Sequence, residues 1–390
     1  MRIAIISPEF PPYTVGGGGV VVEQIAQSLA LRNDVEVLFG SWNSNTGVTH
    51  GNPALTPIPL LHFPGTPAIL ITSMPPTPRG LLTLLSELIR GKPDVAHLHG
   101  IGHPMIDFAA FLCHRFHISY IFVCHGIPLA SNPHNLSLRL LYRAYDRLIT
   151  LRTLRHATFI VAISNRVAKG LQRMGVQPEK IRISYHIPRR ERTQKTGLSF
   201  RDFAQISPHK KIILFIGSIS HRKGADLALK TALDLRLLRS DFVFCLIGPD
   251  GGMLQEARRK TRELNLGQYV RILGYVDSSV RDSALEACDI VFFPSRDEPY
   301  GLVPLEAISH GKPVLVSANS GVAELLKDSG LLFDPEQTRV AAQRINEILD
   351  APELADRLVR TASKAIEAIP AEETTEEYED LSTRIRVRAS

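Results

Sequence analysis

Short apolar runs alternate with amphipathic stretches along the chain. In the first half, runs rich in β-branched and aromatic residues predict buried strands at 2–7, 35–39, 95–98, 120–124 and 158–163. Between them, apolar residues spaced three and four apart predict helices at 20–31, 80–89, 104–114, 136–155 and 165–174. Strands that alternate with helices in this way indicate a parallel sheet covered on both faces.

The alternation stops after residue 182 and then begins again. Residues 185–209 lack apolar periodicity and contain Pro188, Gly197 and Pro208, so we interpret them as a linker with one short helix. Further strands are predicted at 211–216, 242–247, 269–273, 289–293, 313–317 and 330–333, and a last helix at 378–385 after an acidic break at 369–377. We therefore expect domains at 1–188 and 210–368, a linker at 189–209 and a C-terminal segment at 369–390.

The predicted helix 136–155 is amphipathic. Its apolar face carries Leu138, Leu141, Tyr142, Tyr145, Leu148 and Ile149. Its basic face carries Arg139, Arg143 and Arg147. One interpretation is a helix that packs its apolar face on the core and exposes its arginines. The other is a surface that docks on an anionic membrane or acceptor.

Charge is unevenly distributed in this chain of 390 residues, of which 44% are hydrophobic and 22% charged. Through Arg190 there are 18 Lys and Arg against 9 Asp and Glu, and the remainder has 27 against 30. A basic first half can meet anionic lipid, nucleic acid or a phosphorylated substrate. No tract that interleaves aromatic and basic residues indicates nucleic acid, so we expect no nucleic-acid partner.

Cysteine use and hydropathy predict the compartment. The four cysteines are scattered in apolar runs without a C-x-x-C pair, as expected for reduced thiols of a cytosolic protein. No apolar run approaches 18 residues, so no membrane-spanning helix is predicted. We expect a cytoplasmic protein, and the basic first half keeps peripheral association with the inner face of an anionic membrane open.

The stretch PSRDEPYGLVPLEA at 294–307 carries the clearest chemistry. Pro299 and Gly301 hold its middle in a loop before an apolar helix, and Glu298 and Glu306 lie on either side of that turn. The amides of Gly301, Leu302 and Val303 would lie at the helix N-terminus, which favours an anion. The stretch thus predicts a phosphate site between two carboxylates, which suits a sugar diphosphate. The alternative is an acidic residue that only suits the helix dipole, with Glu306 solvated.

Four glycines at 16–19 follow the first predicted strand and precede a helix. This is the phosphate-binding arrangement of nucleotide folds, although the G-x-G-x-x-G and P-loop spacings are absent. The alternative is a turn needed for close packing of the helix on the strand.

Three histidines, His97, His99 and His125, lie at or just beyond predicted strand ends. They come from two loops without a Cys or H-E-x-x-H partner, so we expect no metal site. His125 precedes Gly126 and is the one that we expect to be a site residue, because ligands of such sheets bind beyond the strand ends.

Several motifs together resemble one family. They are PEFPPYTVGGGGVVVEQIAQSLA, AISNRVAKGLQRMGVQPEKIRIS, FIGSISHRKGADLAL, PSRDEPYGLVPLEAISHGKPVLVS followed by SGVAELL, and TTEEYEDLSTRI. Two doubly wound domains with these motifs resemble the retaining glycosyltransferases of family 4, or glycosyl transferases group 1, over nearly the whole chain. The resemblance implies an α/β GT-B fold, in which two Rossmann-like domains face a cleft and a C-terminal helix crosses back onto the first domain.

The resemblance also implies roles for individual residues. In the second domain, Lys223 would bind the donor's pyrophosphate with the amides of Gly301, Leu302 and Val303, Glu306 would bind the ribose, and Glu298 would contact hydroxyls of the transferred sugar. In the first domain, Gly16 and Gly17 would approach the pyrophosphate and His125 would lie near the reacting sugar. His125, Lys223 and Glu298 are the catalytic residues that we expect.

Three positions depart from the family pattern. Ser218 stands where the family usually has Arg, and Ser cannot supply the charge or the two-pronged grip of a guanidinium. We expect both Ser218 and Arg222 among the donor-binding residues, and Arg222, next to Lys223, is the candidate that would supply the missing positive charge. The Asn-Gly-Val-Asp often found before the linker is YHIP at 185–188, and the expected Gly-Gly before VAE is Ser320-Gly321.

The expected function is retaining, metal-independent transfer of a hexose from a nucleoside-diphosphate sugar to a sugar, lipid-linked or small-molecule acceptor. The nucleotide sugar is a substrate, and no cofactor is expected. The D-x-D motif of metal-dependent enzymes is absent. Two alternatives stay open: a nucleotide-sugar epimerase or phosphorylase of the same fold, and a nucleotide-sugar-binding subunit without activity.

Overall fold

The structure is a computed structural model and describes residues 1–13, 17–42, 51–61, 74–126, 140, 143–187, 199–369 and 371–389. The chain forms two compact units, the first made of Met1–His186 with Pro370–Ser390 and the second of Ile187–Ile369. Each unit contains one parallel sheet with helices between its strands, so the predicted α/β class is confirmed.

The first unit has a seven-stranded sheet in the order β3-β2-β1-β4-β5-β6-β7. Its strands are β1 (Arg2–Ser7), β2 (Asp34–Ser41), β3 (Ala54–Pro59), β4 (Val95–His99), β5 (Tyr120–Cys124), β6 (Phe159–Ala162) and β7 (Ile181–Ile183). Its first helices are α1 (Gly17–Ala30), α2 (Pro78–Gly91), α3 (Pro104–Arg115), α4 (Leu151–His156) and α5 (Asn165–Arg173). The central strands are buried on both faces, which explains why they are apolar throughout.

The two edge strands of this sheet were not predicted. β3 contains Pro57 and Pro59, and proline is tolerated there because an edge strand has one side free of ladder hydrogen bonds. β7 has only three residues, too few for a recognisable alternation.

The helix predicted at 136–155 differs from expectation. Residues 127–139 and 141–142 lie outside the described part, so the predictions for Leu138, Leu141, Tyr142 and Arg139 cannot be compared with the structure. Asp146–Thr150 winds as a π-helix before α4 begins. Leu148 and Ile149 are exposed, so their predicted place on the core face is wrong. A π turn holds more than 3.6 residues, which changes the face that each following side chain presents.

The second unit has a six-stranded parallel sheet in the order β10-β9-β8-β11-β12-β13. Its strands are β8 (Lys211–Ile216), β9 (Phe242–Ile247), β10 (Val270–Gly274), β11 (Ile290–Phe293), β12 (Val314–Ser317) and β13 (Leu332–Phe333). Its helices are α6 (Phe200–Phe203), α7 (Ala225–Leu235), α8 (Leu254–Glu263), α9 (Ser278–Ala287), α10 (Leu302–Ser309), α11 (Thr338–Asp350) and α12 (Pro352–Glu367). Phe292 is at the centre of the core, between the rings of Phe244 and Phe333.

The last helix, α13 (Ala371–Ala389), belongs to the first unit. It begins inside the break predicted at 369–377, so that part of the prediction is wrong. Tyr378 is fully buried, and Ser382 Oγ lies 2.8 Å from Nε2 of His97 in β4. The expected return of the chain to its first domain is therefore confirmed.

Candidate active site

The loop at residues 217–224 follows β8, positions Lys223 and depends on a glycine for its conformation. Gly224 has φ +77°, and a Cβ placed on it would lie 2.2 Å from the carbonyl oxygen of Pro294. Only glycine permits both the left-handed backbone and this contact. The loop after β8 is therefore held directly against the loop after β11, although 70 residues separate Gly224 from Pro294.

Lys223 and Glu298 form an ion pair where these two loops meet. Nζ of Lys223 contacts Oε2 of Glu298, and both side chains are largely shielded from water. Ser295 Oγ donates to the same carboxylate oxygen at 3.4 Å, and the lysine Nζ lies 5.8 Å from the ring centroid of Phe293. The structure thus brings together a cation and a carboxylate that the sequence analysis named separately.

The N-terminus of α10 lies directly after Glu298. Gly301 is its N-cap with φ +109°, and glycine has no side chain with which to cap the helix. An α-helix leaves its first N–H groups without partners inside the helix, so the amides of Gly301, Leu302 and Val303 stand at a positively polarised end. The backbone of this turn is fixed by bonds from Gly321 N to Glu298 O at 2.9 Å and from Val322 N to Tyr300 O at 2.8 Å.

Glu306 is held by a residue that the sequence analysis missed. Its Oε2 accepts from Nη2 of Arg281, which lies in α9. Arg281 also lies 3.5 Å from Asp282 Oδ1. Glu306 is half-buried, so the alternative that it is merely a solvated residue does not describe it. Nothing in the local sequence around Arg281 indicates this contact, because it depends on the packing of α9 beside α10.

Ser218 and Arg222 precede the lysine within its own loop. The Oγ atoms of Ser218 and Ser220 are 3.2 Å apart, and Ser220 Oγ accepts from the backbone N of Lys223 at 3.3 Å. Arg222 Nη1 donates to the carbonyl of Asp297 at 3.1 Å. The guanidinium of Arg222 is therefore directed at the loop that carries Glu298, while the two serines shape the turn without contributing charge.

A second ion pair, Arg296 with Asp226, joins the loop after β11 to the first turn of α7 and was also missed. The contact is two-pronged, with Nη1 to Oδ1 at 2.7 Å and Nη2 to Oδ2 at 2.8 Å. Burial raises the pKa of Asp226, but the hydrogen bonds and charge of Arg296 outweigh it and hold that pKa below its usual range. Arg296 N also donates to Arg222 O at 2.9 Å. A signal for this role was available, since Arg296 lies inside the PSRDE motif.

In the first unit, His125 is paired with His99. Nδ1 of His99 lies 2.9 Å from Nε2 of His125, so one ring donates to the other. Nε2 of His99 is buried and has no hydrogen-bond partner within the described ranges. An unpaired N–H is less readily tolerated there than an unpaired lone pair, so we assign the proton of His99 to Nδ1. His125 then accepts at Nε2 and carries its own proton on Nδ1.

Burial sets the charge of this histidine cluster. Burial, and less strongly the nearby His103, lowers the pKa of His125 to about 4, and burial lowers the pKa of His97 to about 3. Over the residues that the structure describes, no group of three or more His, Cys, Asp or Glu is arranged to hold a metal ion. Gly17 begins α1, and Gly16 lies outside the described residues.

Comparisons with known proteins cover both units. The family model for glycosyltransferase family 4 matches residues 15–186, and the model for glycosyl transferases group 1 matches residues 199–365. An uncharacterized glycosyltransferase of Methanocaldococcus jannaschii is 22% identical over an alignment of 383 residues that covers 94% of this chain and 93% of that protein.

Solved structures show the same fold. Sucrose-phosphate synthase of Thermosynechococcus elongatus superposes with a TM-score of 0.76 at 20% identity, covering 100% of both chains. Anabaena HepE in complex with UDP-glucose superposes with a TM-score of 0.72 at 17% identity, covering 98% of this chain and all of that one.

Of the helices in the described ranges, none has the length and apolar character needed to cross a bilayer.

Proposed function

Because this chain belongs to the glycosyltransferases of group 1 and family 4, which have the GT-B fold, we propose that it uses a nucleoside-diphosphate sugar as donor. The observation that carries the proposal is the Lys223–Glu298 pair at the uncapped N-terminus of α10. A cation, free amides and a carboxylate in one turn match a diphosphate joined to a hydroxylated ring. The similarity to a protein solved with UDP-glucose supports the same donor class.

In this proposal the donor replaces contacts that the side chains make with each other. The diphosphate takes the place of the Glu298 carboxylate beside Lys223, and Glu298 becomes free to accept from hydroxyls of the sugar. Glu306, released from Arg281, accepts from the ribose hydroxyls. Arg222 and the turn at Ser218 lie in the same loop as Lys223, and they complete the donor-binding set with the amides of Gly301, Leu302 and Val303.

The proposed reaction is transfer with retention of the anomeric configuration. The bond between C1 of the sugar and the phosphate oxygen breaks, and the acceptor oxygen bonds to C1 from the same face. The acceptor proton passes to the departing phosphate, so the protein need not supply a base. Lys223 and the helix N–H groups stabilise the charge that develops on the leaving diphosphate. In other enzymes a bound metal ion stabilises this charge.

The roles of His125, Gly16 and Gly17 follow from the family resemblance. His125 carries a proton on Nδ1, by the assignment above, and we propose that this N–H donates to a hydroxyl of the transferred hexose. We propose that Gly16 and Gly17 let the backbone approach the pyrophosphate. The acceptor that we propose is a sugar, a lipid-linked molecule or a small molecule.

A panel of UDP-, GDP-, ADP- and TDP-hexoses tests the proposal. We expect one of them to bind by calorimetry and to be hydrolysed slowly without acceptor, with the first sugar product keeping the donor's anomeric configuration by NMR. Activity should persist in EDTA. Absence of both binding and hydrolysis across the panel would contradict a nucleotide-sugar donor, and an inverted product would contradict retention alone.

Ser218 favours one alternative, a nucleotide-sugar-binding subunit without activity. Ser218 stands where the family usually has a guanidinium, and its hydroxyl lies 3.2 Å from that of Ser220. The Ser218→Arg variant separates the two cases. If the wild type binds donor but does not turn it over, and Ser218→Arg binds tighter without any gain in turnover, the protein is a binding subunit.

A further inference from the structure

Two elements of the first unit pack side by side and form one surface. Tyr145 Oη and Thr153 Oγ1 both donate to the Asp107 carboxylate of α3, at 2.7 Å and 2.8 Å. At the C-terminal end of α3, the ring centroids of His114 and His156 are 4.1 Å apart. These contacts hold α3 against the segment 143–156, which contains the π-helix and α4.

This surface exposes large apolar side chains. Phe111 is 58% exposed, Phe116 39%, Leu148 71% and Ile149 42%. A single exposed apolar residue is ordinary, but four on two short neighbouring elements are not. Leu148 and Ile149 lie within the π-helix, whose wider winding accounts for their absence from the core.

The exposed charges of these two stretches, residues 104–116 and 143–156, all have one sign. Their exposed arginines are Arg115, Arg143, Arg147, Arg152 and Arg155. The carboxylates of the two stretches, Asp107 and Asp146, are both buried. Within residues 104–116 and 143–156, no carboxylate therefore offsets the arginines at the surface. We call this face, made of the five arginines with Phe111, Phe116, Leu148 and Ile149, the basic surface.

We propose that the basic surface docks on the headgroup region of an anionic lipid bilayer. Exposed phenylalanine and leucine beside arginine is the composition that binds membrane interfaces, where apolar side chains enter the acyl boundary and guanidinium groups contact lipid phosphates. Charge complementarity selects an anionic rather than a neutral bilayer. The proposal is independent of the proposed function, because docking requires neither donor nor acceptor.

Vesicle flotation with the full chain tests docking, using phosphatidylcholine vesicles with and without 30% phosphatidylglycerol. We expect strong recovery with anionic vesicles, weak recovery with neutral ones, and a decrease as salt rises. Arg147→Gln with Arg152→Gln should lower the partition coefficient about 30-fold, since each basic residue near an anionic surface contributes about fivefold. Phe111→Ser with Leu148→Ser should lower it about tenfold or more.

Matched controls lie in the second unit. Arg258 and Arg262 are exposed on α8, and Leu237 is 79% exposed. Arg258→Gln with Arg262→Gln, and Leu237→Ser, should float like the wild type. Equal recovery with neutral and anionic vesicles, or equal losses in test and control variants, would overturn the proposal. Failure to float together with binding to an acidic polypeptide would overturn it too, in favour of a protein partner. Thermal melts should show all variants folded like the wild type.

Discussion

Two ion pairs, Lys223–Glu298 and Arg281–Glu306, neutralise the charges of the candidate site, and the proposed donor would break both of them. Such pairs let a largely shielded charge persist without ligand, because an unpaired buried charge is costly. They also mean that donor binding exchanges one ionic contact for another. The affinity for donor then depends on the difference between the two contacts, not on the strength of either.

Replacing Lys223 by Ala should lower kcat/KM for the donor by about 100-fold or more, because a leading stabiliser of the departing charge is lost. Lys223→Arg should retain part of the activity. Lys230 lies exposed on α7, and Lys230→Ala is the matched control that should behave as wild type. Steady-state kinetics measure the effect, and a Lys223→Ala enzyme with unchanged kcat/KM would remove the lysine from the proposed mechanism.

Replacing His99 by Leu should alter the proton position on His125. His99 donates to Nε2 of His125 in our assignment, so the wild type should show His125 protonated on Nδ1 in multiple-bond ¹H–¹⁵N NMR spectra. His99→Leu should lose that fixed tautomer and reduce turnover roughly fivefold, the equivalent of one hydrogen bond. His99→Gln keeps an N–H donor and should retain the tautomer. A wild-type spectrum with the proton on Nε2 would contradict the assignment.

Loops rather than strands determine the candidate site of the second unit. The loop after β8 and the loop after β11 are joined by the close approach at Gly224 and the Lys223–Glu298 pair, and the Arg296–Asp226 pair ties the second loop to the start of α7. β8 and β11 are neighbours in the sheet, so the loops at their carboxyl ends emerge at one edge. The sheet order therefore brings the motifs together, and the glycine sets how closely they meet.

Gly224→Ala should destabilise the second unit by about 3 kcal/mol or more, since it combines a left-handed backbone with a collision against Pro294. Gly311 has a similar φ of +70° but nothing within 4 Å of an added Cβ. Gly311→Ala should therefore cost only about 1 kcal/mol, for the backbone alone. Urea unfolding measures both, and equal losses would show that the contact with Pro294 does not matter.

Periodicity and motifs predicted the strand–helix alternation of both units, because buried strands and amphipathic helices carry their signal locally. Edge strands β3 and β7 were missed, the first because it contains prolines and the second because it is short. The prediction that Leu148 and Ile149 face the core was wrong because the π-helix at 146–150 breaks the 3.6-residue period. Arg281 and Arg296 were missed because their partners lie 25 and 70 residues away in sequence.

The molecule as a whole should lose stability in mild acid through its first unit. Burial lowers the pKa of His97, His125 and His186 to about 3, 4 and 3, and holds that of His99 well below normal. An unfolded histidine titrates near 6.5, so the stability is fully present above that pH and is lost as pH falls towards the folded values. Between pH 7.5 and 5.5 each such group should cost about 1 kcal/mol.

Trp42, the only tryptophan, lies in the first unit and reports its unfolding by fluorescence. Urea midpoints at pH 7.5 and 5.5 should differ clearly, and His97→Asn should reduce the difference by the share of one group. Identical midpoints at the two pH values would show that these histidines are not buried in their neutral form.

Tyr378 and Ser382 of α13 complete the core of the first unit, whose other residues, Met1–His186, are translated before all the rest of the chain. A ribosome releases the strands of that unit long before it makes α13, whereas all of Ile187–Ile369 is contiguous. During synthesis the second unit can therefore finish folding first. Until α13 is made, the first unit stays incomplete, with His97 not yet covered by Ser382. Holding chaperones should meet the nascent N-terminal sheet for as long as the remaining 180-odd residues take to emerge, about 10 to 40 seconds at ordinary elongation rates.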